Sequence, residues 1–153
     1  MHHQVVSQQA IHLYGLQVEL TTSHALNQKI ITAQWQRFNH ALKSNHIKLG
    51  TNWKKYGVTL KSENRYVYMT AIESNTRLSG FDYYQLQAGQ YLYFQHLGAM
   101  ELIKVTINRI YKKVIPEQNL TLNPNRSLIH FECYDQQFQW NHPDSVIHIF
   151  VPI

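Results

Sequence analysis

The sequence predicts an α+β fold built twice: two β-α-β-β halves forming one antiparallel sheet, with two helices on one face and a central groove between them. Three observations carry this reading. Two stretches repeat apolar residues at helical spacing, Leu26, Ile30 or Ile31, Trp35, Phe38 and Leu42 in the first, and Met100, Ile103, Ile107, Ile110 and Val114 in the second. Each follows an extended, β-prone segment and precedes two more. A helix with one apolar stripe must bury it, and a sheet is the only large partner the chain offers. At 153 residues the chain fits one domain, 1–153, with halves of about 1–78 and 79–153, able to bury roughly two thirds of its unfolded surface.

Taken in order, Val5-Val6 and then Ile11 to Leu20, with Gly15 inside, read as extended structure. Thr21-Thr22-Ser23 supplies hydroxyls suited to capping a helix start, and that helix ends near Ser44-Asn45. The polar run from His46 to Lys55 reads as a loop, with Trp53 its one large apolar residue. Tyr56 to Leu60 and Arg65 to Ser74 read as strands joined by a four-residue turn, Lys61 to Asn64. Phe81 to Leu86 and Gln90 to His96 are β-prone segments split by Ala88-Gly89. Gly98 precedes the second helix, Glu101 and Lys112-Lys113 suit its dipole, and Pro116 ends it. After a loop with its tip at Asn123-Pro124-Asn125 come a strand at Ile129 to Asp135, a turn at Asn141 to Asp144, and a last strand from Val146. Gln9-Ala10 and Gln87-Ala88 stand at matching points of the two halves, consistent with a duplication.

Composition narrows the function classes. Lys and Arg number 14 against 9 acids, a net +5. These bases are scattered, with only Lys54-Lys55 and Lys112-Lys113 paired, which suits a solvated basic face better than a nucleic-acid surface. Cys133 is the single cysteine, so no intrachain disulfide can form, and a reducing cytoplasm is the expected location. No run approaches the roughly 18 apolar residues that would span a bilayer.

Alternation along Ile129 to Asp135 sets Phe131 and Cys133 on one face and His130, Glu132 and Tyr134 on the other. By that pattern alone Glu132 fits a surface carboxylate more readily than a buried one. In the earlier strand Tyr66, Tyr68, Thr70 and Ile72 share a face, with Glu73 on the opposite alternation as a rim or solvent-facing acid. His130-x-Glu132, with His148, mimics a metal site; among ten histidines chance proximity is the simpler reading, and no metal or other cofactor is expected. Trp35, Phe38, Trp53, Tyr91, Tyr93 and Trp140 are aromatic candidates for a pocket lining, though aromatics at helix or strand spacing are more often plain core.

Six motifs in register along nearly the whole chain resemble the AraC-type, gyrase-inhibitor-like effector-binding domain. They are Ile31, Trp35 and Phe38; Tyr56-Gly57-Val58; Tyr66-x-Tyr68 with Glu73; Ala88-Gly89-x-Tyr91 running to His96-x-Gly98; Phe131-Glu132-x-Tyr134; and the ending Ile147 to Ile153. Gln87 stands where the family usually has Pro, and Val114-Ile115-Pro116 replaces a commoner Trp-Leu-Pro. The chain is also similar to the integron-cassette type of such domains.

The resemblance implies a groove at the pseudo-twofold axis that binds amphipathic, often aromatic and cationic compounds. The acid matching Glu132 would meet the ligand's positive charge, reversing the surface reading above. Tyr134, Tyr68, Tyr66, Trp35, Phe38, Tyr91, Tyr93 and Trp53 would line the site. Such domains often follow a DNA-binding segment, and a chain that opens on β-prone residues is expected to correspond to the stand-alone members. Direct nucleic-acid or membrane binding is not expected, and a regulatory protein partner stays open. Two alternatives follow from the same resemblance: a hydrolase using Glu132 as general acid or base, for which no set of nucleophile, base and orienting group is visible, and a gyrase-inhibitor type interaction module, against whose acidic mode the +5 charge runs.

Overall fold

The computed structural model describes residues 2–153. Its strands are β1 (His3–Gln8), β2 (Ile11–Glu19), β3 (Lys55–Ser62), β4 (Arg65–Glu73), β5 (Asp82–Leu86), β6 (Gly89–Leu97), β7 (Leu128–Tyr134) and β8 (Val146–Pro152). They form one antiparallel sheet in the order β1-β6-β8-β7-β3-β4-β2-β5. Each half contributes five elements rather than the four expected, because β1 and β5 are strands in their own right. The halves exchange these first strands: β1 pairs with β6, and β5 with β2. Connectivity then dictates shape. Gln9-Ala10 joins the first strand of the order to the seventh, a link reaching at most about 11 Å, whereas a flat sheet would set them roughly 29 Å apart. The sheet therefore curls into a half-barrel, and Gln87-Ala88 imposes the same closure from the other edge.

Curling buries both faces. Inside the curl, away from the helices, Leu13, Tyr56, Val58, Met69, Leu86, Tyr91 and Phe131 form one core drawn from six strands. Phe131 stacks on Phe150 with ring centroids 4.6 Å apart. On the other face, α1 (His24–Ser44) lays Trp35, Phe38 and Leu42 against Tyr68, Ile72 and Ile147. Ser23 caps this helix by accepting from the Leu26 amide at 3.2 Å. At its other end His46, at φ +56°, lets the Ile47 amide reach back to the Leu42 carbonyl, a Schellman-type close. Leu26, expected on the buried stripe, is 47% exposed, since the stripe meets the sheet only from Ile31 onward.

The second helical run does not stop ahead of Pro116. A 3₁₀ turn (Met100–Leu102) leads into α2 (Ile103–Arg109), a π-helical turn (Ile110–Val114) and α3 (Ile115–Glu117). The wider π-turn, in which the Ile115 amide bonds the Ile110 carbonyl, accommodates a proline that lacks an N–H and would clash with the carbonyl four residues back. The run's start is pinned by His96, whose Nε2 contacts the Ala99 carbonyl at 2.9 Å and whose Nδ1 contacts Thr106 Oγ1 at 2.6 Å. The β3–β4 turn is also tighter than expected: Ser62 pairs with Arg65, leaving Glu63-Asn64 as the turn. Among the described residues no helix is long and apolar enough to cross a membrane.

Candidate functional site

β3 and β7 pair at the seam between the halves, and there Gly57 faces Glu132. The two helical runs diverge above this seam, and the space between them is a cavity of about 730 Å³. Its floor is Thr59, Tyr66, Tyr68, His130 and Glu132; Ile31 and Thr32 of α1 form one wall, Met100, Ile103 and Ile107 the other, and Trp140 closes one end. Such a volume lies within the range of small-molecule sites. The mouth is polar, with Asn27, Asn64, Lys104 and Asn108, and beside it Arg65 pairs with Glu19 at 3.7 Å, both well exposed.

Glu132 is only 4% exposed. Its Oε1 accepts from Tyr134 Oη at 2.6 Å and from Tyr68 Oη at 3.0 Å. Behind Tyr68, Trp35 Nε1 donates to its hydroxyl at 3.1 Å, fixing that oxygen so that its own proton points at the carboxylate. Burial first, and then the Glu132 charge, push both tyrosines well above the ordinary phenol range, so both remain donors. The second oxygen, Oε2, has His130 Nε2 at 3.5 Å. Among the described residues no Lys or Arg nitrogen lies within ion-pair distance of Glu132. Desolvating a carboxylate is costly unless hydrogen bonds or a counter-charge offset it; here two hydroxyls serve one oxygen and one imidazole approaches the other.

Gly57 makes this arrangement possible. A Cβ there would stand 2.2 Å from Tyr68 Oη and 2.8 Å from Glu132 Oε1. The absent side chain is the space in which the Tyr68–Glu132 bond forms.

Of the residues named from sequence, Glu132, Tyr68, Tyr66 and Trp140 line the cavity. Tyr134 and Trp35 lie behind it, with ring centroids 5.0 Å apart in an edge-on contact, and act on the cavity through Glu132 and Tyr68. Phe38 is fully buried in the α1 core. Trp53 packs at the edge of that core beneath the Lys55 ammonium rather than along the cavity. Tyr91 and Tyr93 are on the opposite face of the sheet, where Tyr91 meets Phe131 and Tyr93 bonds His148. His148 is thereby separated from the His130-x-Glu132 pair, its Nε2 lying 3.1 Å from Asp135 Oδ2. Cys133 lies on that face too, its thiol pushed up to about 11 by burial. Sequence reasoning did not identify Thr59, Met100, Ile103 and Ile107 as cavity wall. The last three read as helix stripe, and only the gap between the helical runs distinguishes a stripe residue facing core from one facing a void.

A protein-family model described as integron-associated effector binding protein matches residues 4–153. The chain belongs to that family. Among solved structures it resembles SAV2435, determined bound to tetraphenylphosphonium, with TM-score 0.80 and 18% identity over 99% of this chain and 93% of that one. An integron cassette protein from the mobile metagenome of Vibrio cholerae matches with TM-score 0.62 and 16% identity, covering 98% and 94%. The C-terminal domain of EcmrR matches with TM-score 0.64 and 13% identity, covering 99% and 96%. At these identities the likenesses establish a shared fold. No curated protein sequence matches the chain.

Proposed function

We propose that this effector-binding domain takes up hydrophobic, cationic aromatic compounds in the groove between its helical runs, with Glu132 as the counter-charge. The observation that carries the reading is a carboxylate buried at the floor of a largely apolar cavity with only one oxygen hydrogen-bonded to hydroxyls. Oε2 is left to meet a charge arriving through the mouth. At an effective dielectric of about 20, a cation about 4 Å away gains roughly 4 kcal/mol of attraction, part of which is lost to its own desolvation. Tyr66 and Trp140 supply aromatic surface, each good cation–π contact adding about 0.5–2 kcal/mol. Tetraphenylphosphonium, the compound bound to SAV2435, is a suitable first probe.

The test is a titration of the protein with tetraphenylphosphonium, followed by tryptophan fluorescence, beside Glu132→Gln and with neutral triphenylphosphine oxide as control. Binding of the cation should weaken about 10- to 100-fold in the variant, equivalent to about 1.4–2.8 kcal/mol, while the neutral compound is little affected. Equal cation affinity in both proteins would remove Glu132 from the mechanism. Turnover of a strained electrophile that disappears in Glu132→Gln would instead point to the hydrolase alternative.

A further inference from the structure

The groove already contains an imidazole beside Glu132. His130 and Glu132 are two residues apart on β7, so their side chains share a face, and both are nearly enclosed, at 6% and 4% exposure. His130 Nε2 is 3.5 Å from Oε2, the oxygen that no hydroxyl serves. The other ring nitrogen, Nδ1, is 2.9 Å from Tyr111 Oη, which also lies 3.0 Å from the Ile129 carbonyl. Tyr111 has one proton for two acceptors. If it donates to the carbonyl, which can only accept, its oxygen is left to accept Nδ1–H. That network leaves Nε2 as the site where a further proton would go, and this proton would point at Oε2.

The surroundings of the pair bear on that proton. From β4 come the hydroxyls of Tyr66 and Tyr68; from β7, Tyr134; from the helical side, Tyr111, Lys104 and Glu101; and Arg126 lies close enough to Tyr111 to influence its titration. Glu19, Arg65 and His24 stand at the mouth. Within this set Glu132 is the acid at ion-pair distance from the His130 ring.

We infer that His130 is the resident counter-ion of Glu132 and that a cationic ligand replaces its proton, so ligand binding and proton release are one exchange. Before that exchange, imidazolium faces carboxylate across the 3.5 Å contact. An organic cation arriving at Oε2 would place two positive charges on one carboxylate in an enclosed space, and the imidazolium, which has a proton to give up, is the one that neutralises. The balance is simple: a cation enters, up to one proton leaves Nε2 for solvent, and the net charge of the site is unchanged. A neutral ligand of the same shape displaces nothing. The inference rests on the binding reading above and adds to it a pH dependence with a fixed sign, since acid favours the competing proton and weakens cation binding.

The experiment is calorimetry of the full chain with tetraphenylphosphonium, at several pH values from 5 to 8, the range over which imidazoles change charge. At each pH two buffers of different ionisation enthalpy are used, so the heat difference counts protons released. Expected are release approaching one proton per ligand at the acid end, an affinity that rises up to about tenfold per pH unit there and then levels, and no release with triphenylphosphine oxide. In His130→Gln, which keeps a hydrogen-bonding group for Tyr111 but cannot titrate, the slope should vanish and affinity at pH 5 should exceed that of the wild type. General damage to the site would weaken binding at every pH instead. Cation binding with a flat pH profile and no proton release overturns this inference and leaves the binding reading standing, and a slope that survives in His130→Gln overturns it equally. Absence of wild-type binding at every pH overturns both. Should His130→Gln fail to fold, the proton count on the wild-type chain decides alone.

Discussion

Gly57→Ala puts the geometry of the seam under direct strain. The added Cβ would meet Tyr68 Oη at 2.2 Å, Glu132 Oε1 at 2.8 Å and Tyr68 Cζ at 2.9 Å, all well inside contact distance. Tyr68 has little freedom to retreat, being 2% exposed and tied to Trp35 and Glu132. Overpacking of this kind costs about 1–3 kcal/mol, and a displaced hydrogen bond to a charged group about 1.5–3 kcal/mol more. The substitution should therefore destabilise the fold by about 2.5–6 kcal/mol, a fall in Tm of roughly 5–24 °C for a chain of this size. Urea denaturation followed by tryptophan fluorescence measures it. Tyr68→Phe, which removes the atom met at shortest range, should restore part of the loss, so the double variant is more stable than the two single effects sum to. A Gly57→Ala protein within about 0.5 kcal/mol of wild type, the scatter of an ordinary surface change, would refute the claim that this glycine makes room for the Tyr68–Glu132 bond.

Other outcomes follow from the same network. Tyr134→Phe removes the 2.6 Å bond to Glu132 Oε1 and should cost about 1.5–3 kcal/mol of stability, whereas Glu19→Gln, which breaks an exposed rim pair, should change it by under about 0.5 kcal/mol; both are read by urea denaturation. Alkaline pH should unfold the protein cooperatively. Burial pushes Cys133 up to about 11 and Tyr111 up to about 12, and holds Tyr68 and Tyr134 well above the ordinary phenol range, so the folded chain retains protons that the unfolded chain releases. Their contribution to stability is complete below about pH 9 and is lost as pH rises through the folded values, and tyrosinate absorbance should appear together with loss of circular dichroism rather than ahead of it. Cys133 should resist a thiol reagent at pH 8 in the native protein and react fully in denaturant; rapid native labelling would contradict its burial.

Much of the fold was legible because local patterns carry it. The stripes of both helices, the hydroxyl cap at Ser23 and the paired β-prone segments each reflect short-range chemistry that a single sequence displays. Period-two alternation likewise puts Glu132 on the side of Tyr134 and opposite Phe131 by residue order alone. What alternation cannot supply is which face of a strand looks toward the helices when both faces are buried. Tyr91 and Tyr93 share a side with one another by parity, yet nothing in the pattern distinguishes the inside of the curl from the groove, because the curl leaves neither side polar. The same limit applies to Ile103 and Ile107, whose stripe is identical whether it meets side chains or a cavity.

The sequence by itself determined the elements, their duplication and the presence of a solitary acid among aromatics on the strand that follows the second helix. Tertiary structure decided the rest. The exchange of β1 and β5 between halves is non-local and leaves no trace in residue spacing, but once made, two-residue linkers oblige the sheet to curl. That curl fixed which aromatics face the groove. Pairing of β3 with β7 set Gly57 against Glu132, and approach of the second helical run set Tyr111 on His130; neither contact has a local signature, since each joins segments far apart in the chain. The acid was visible in the sequence, while its surroundings came from register and closure.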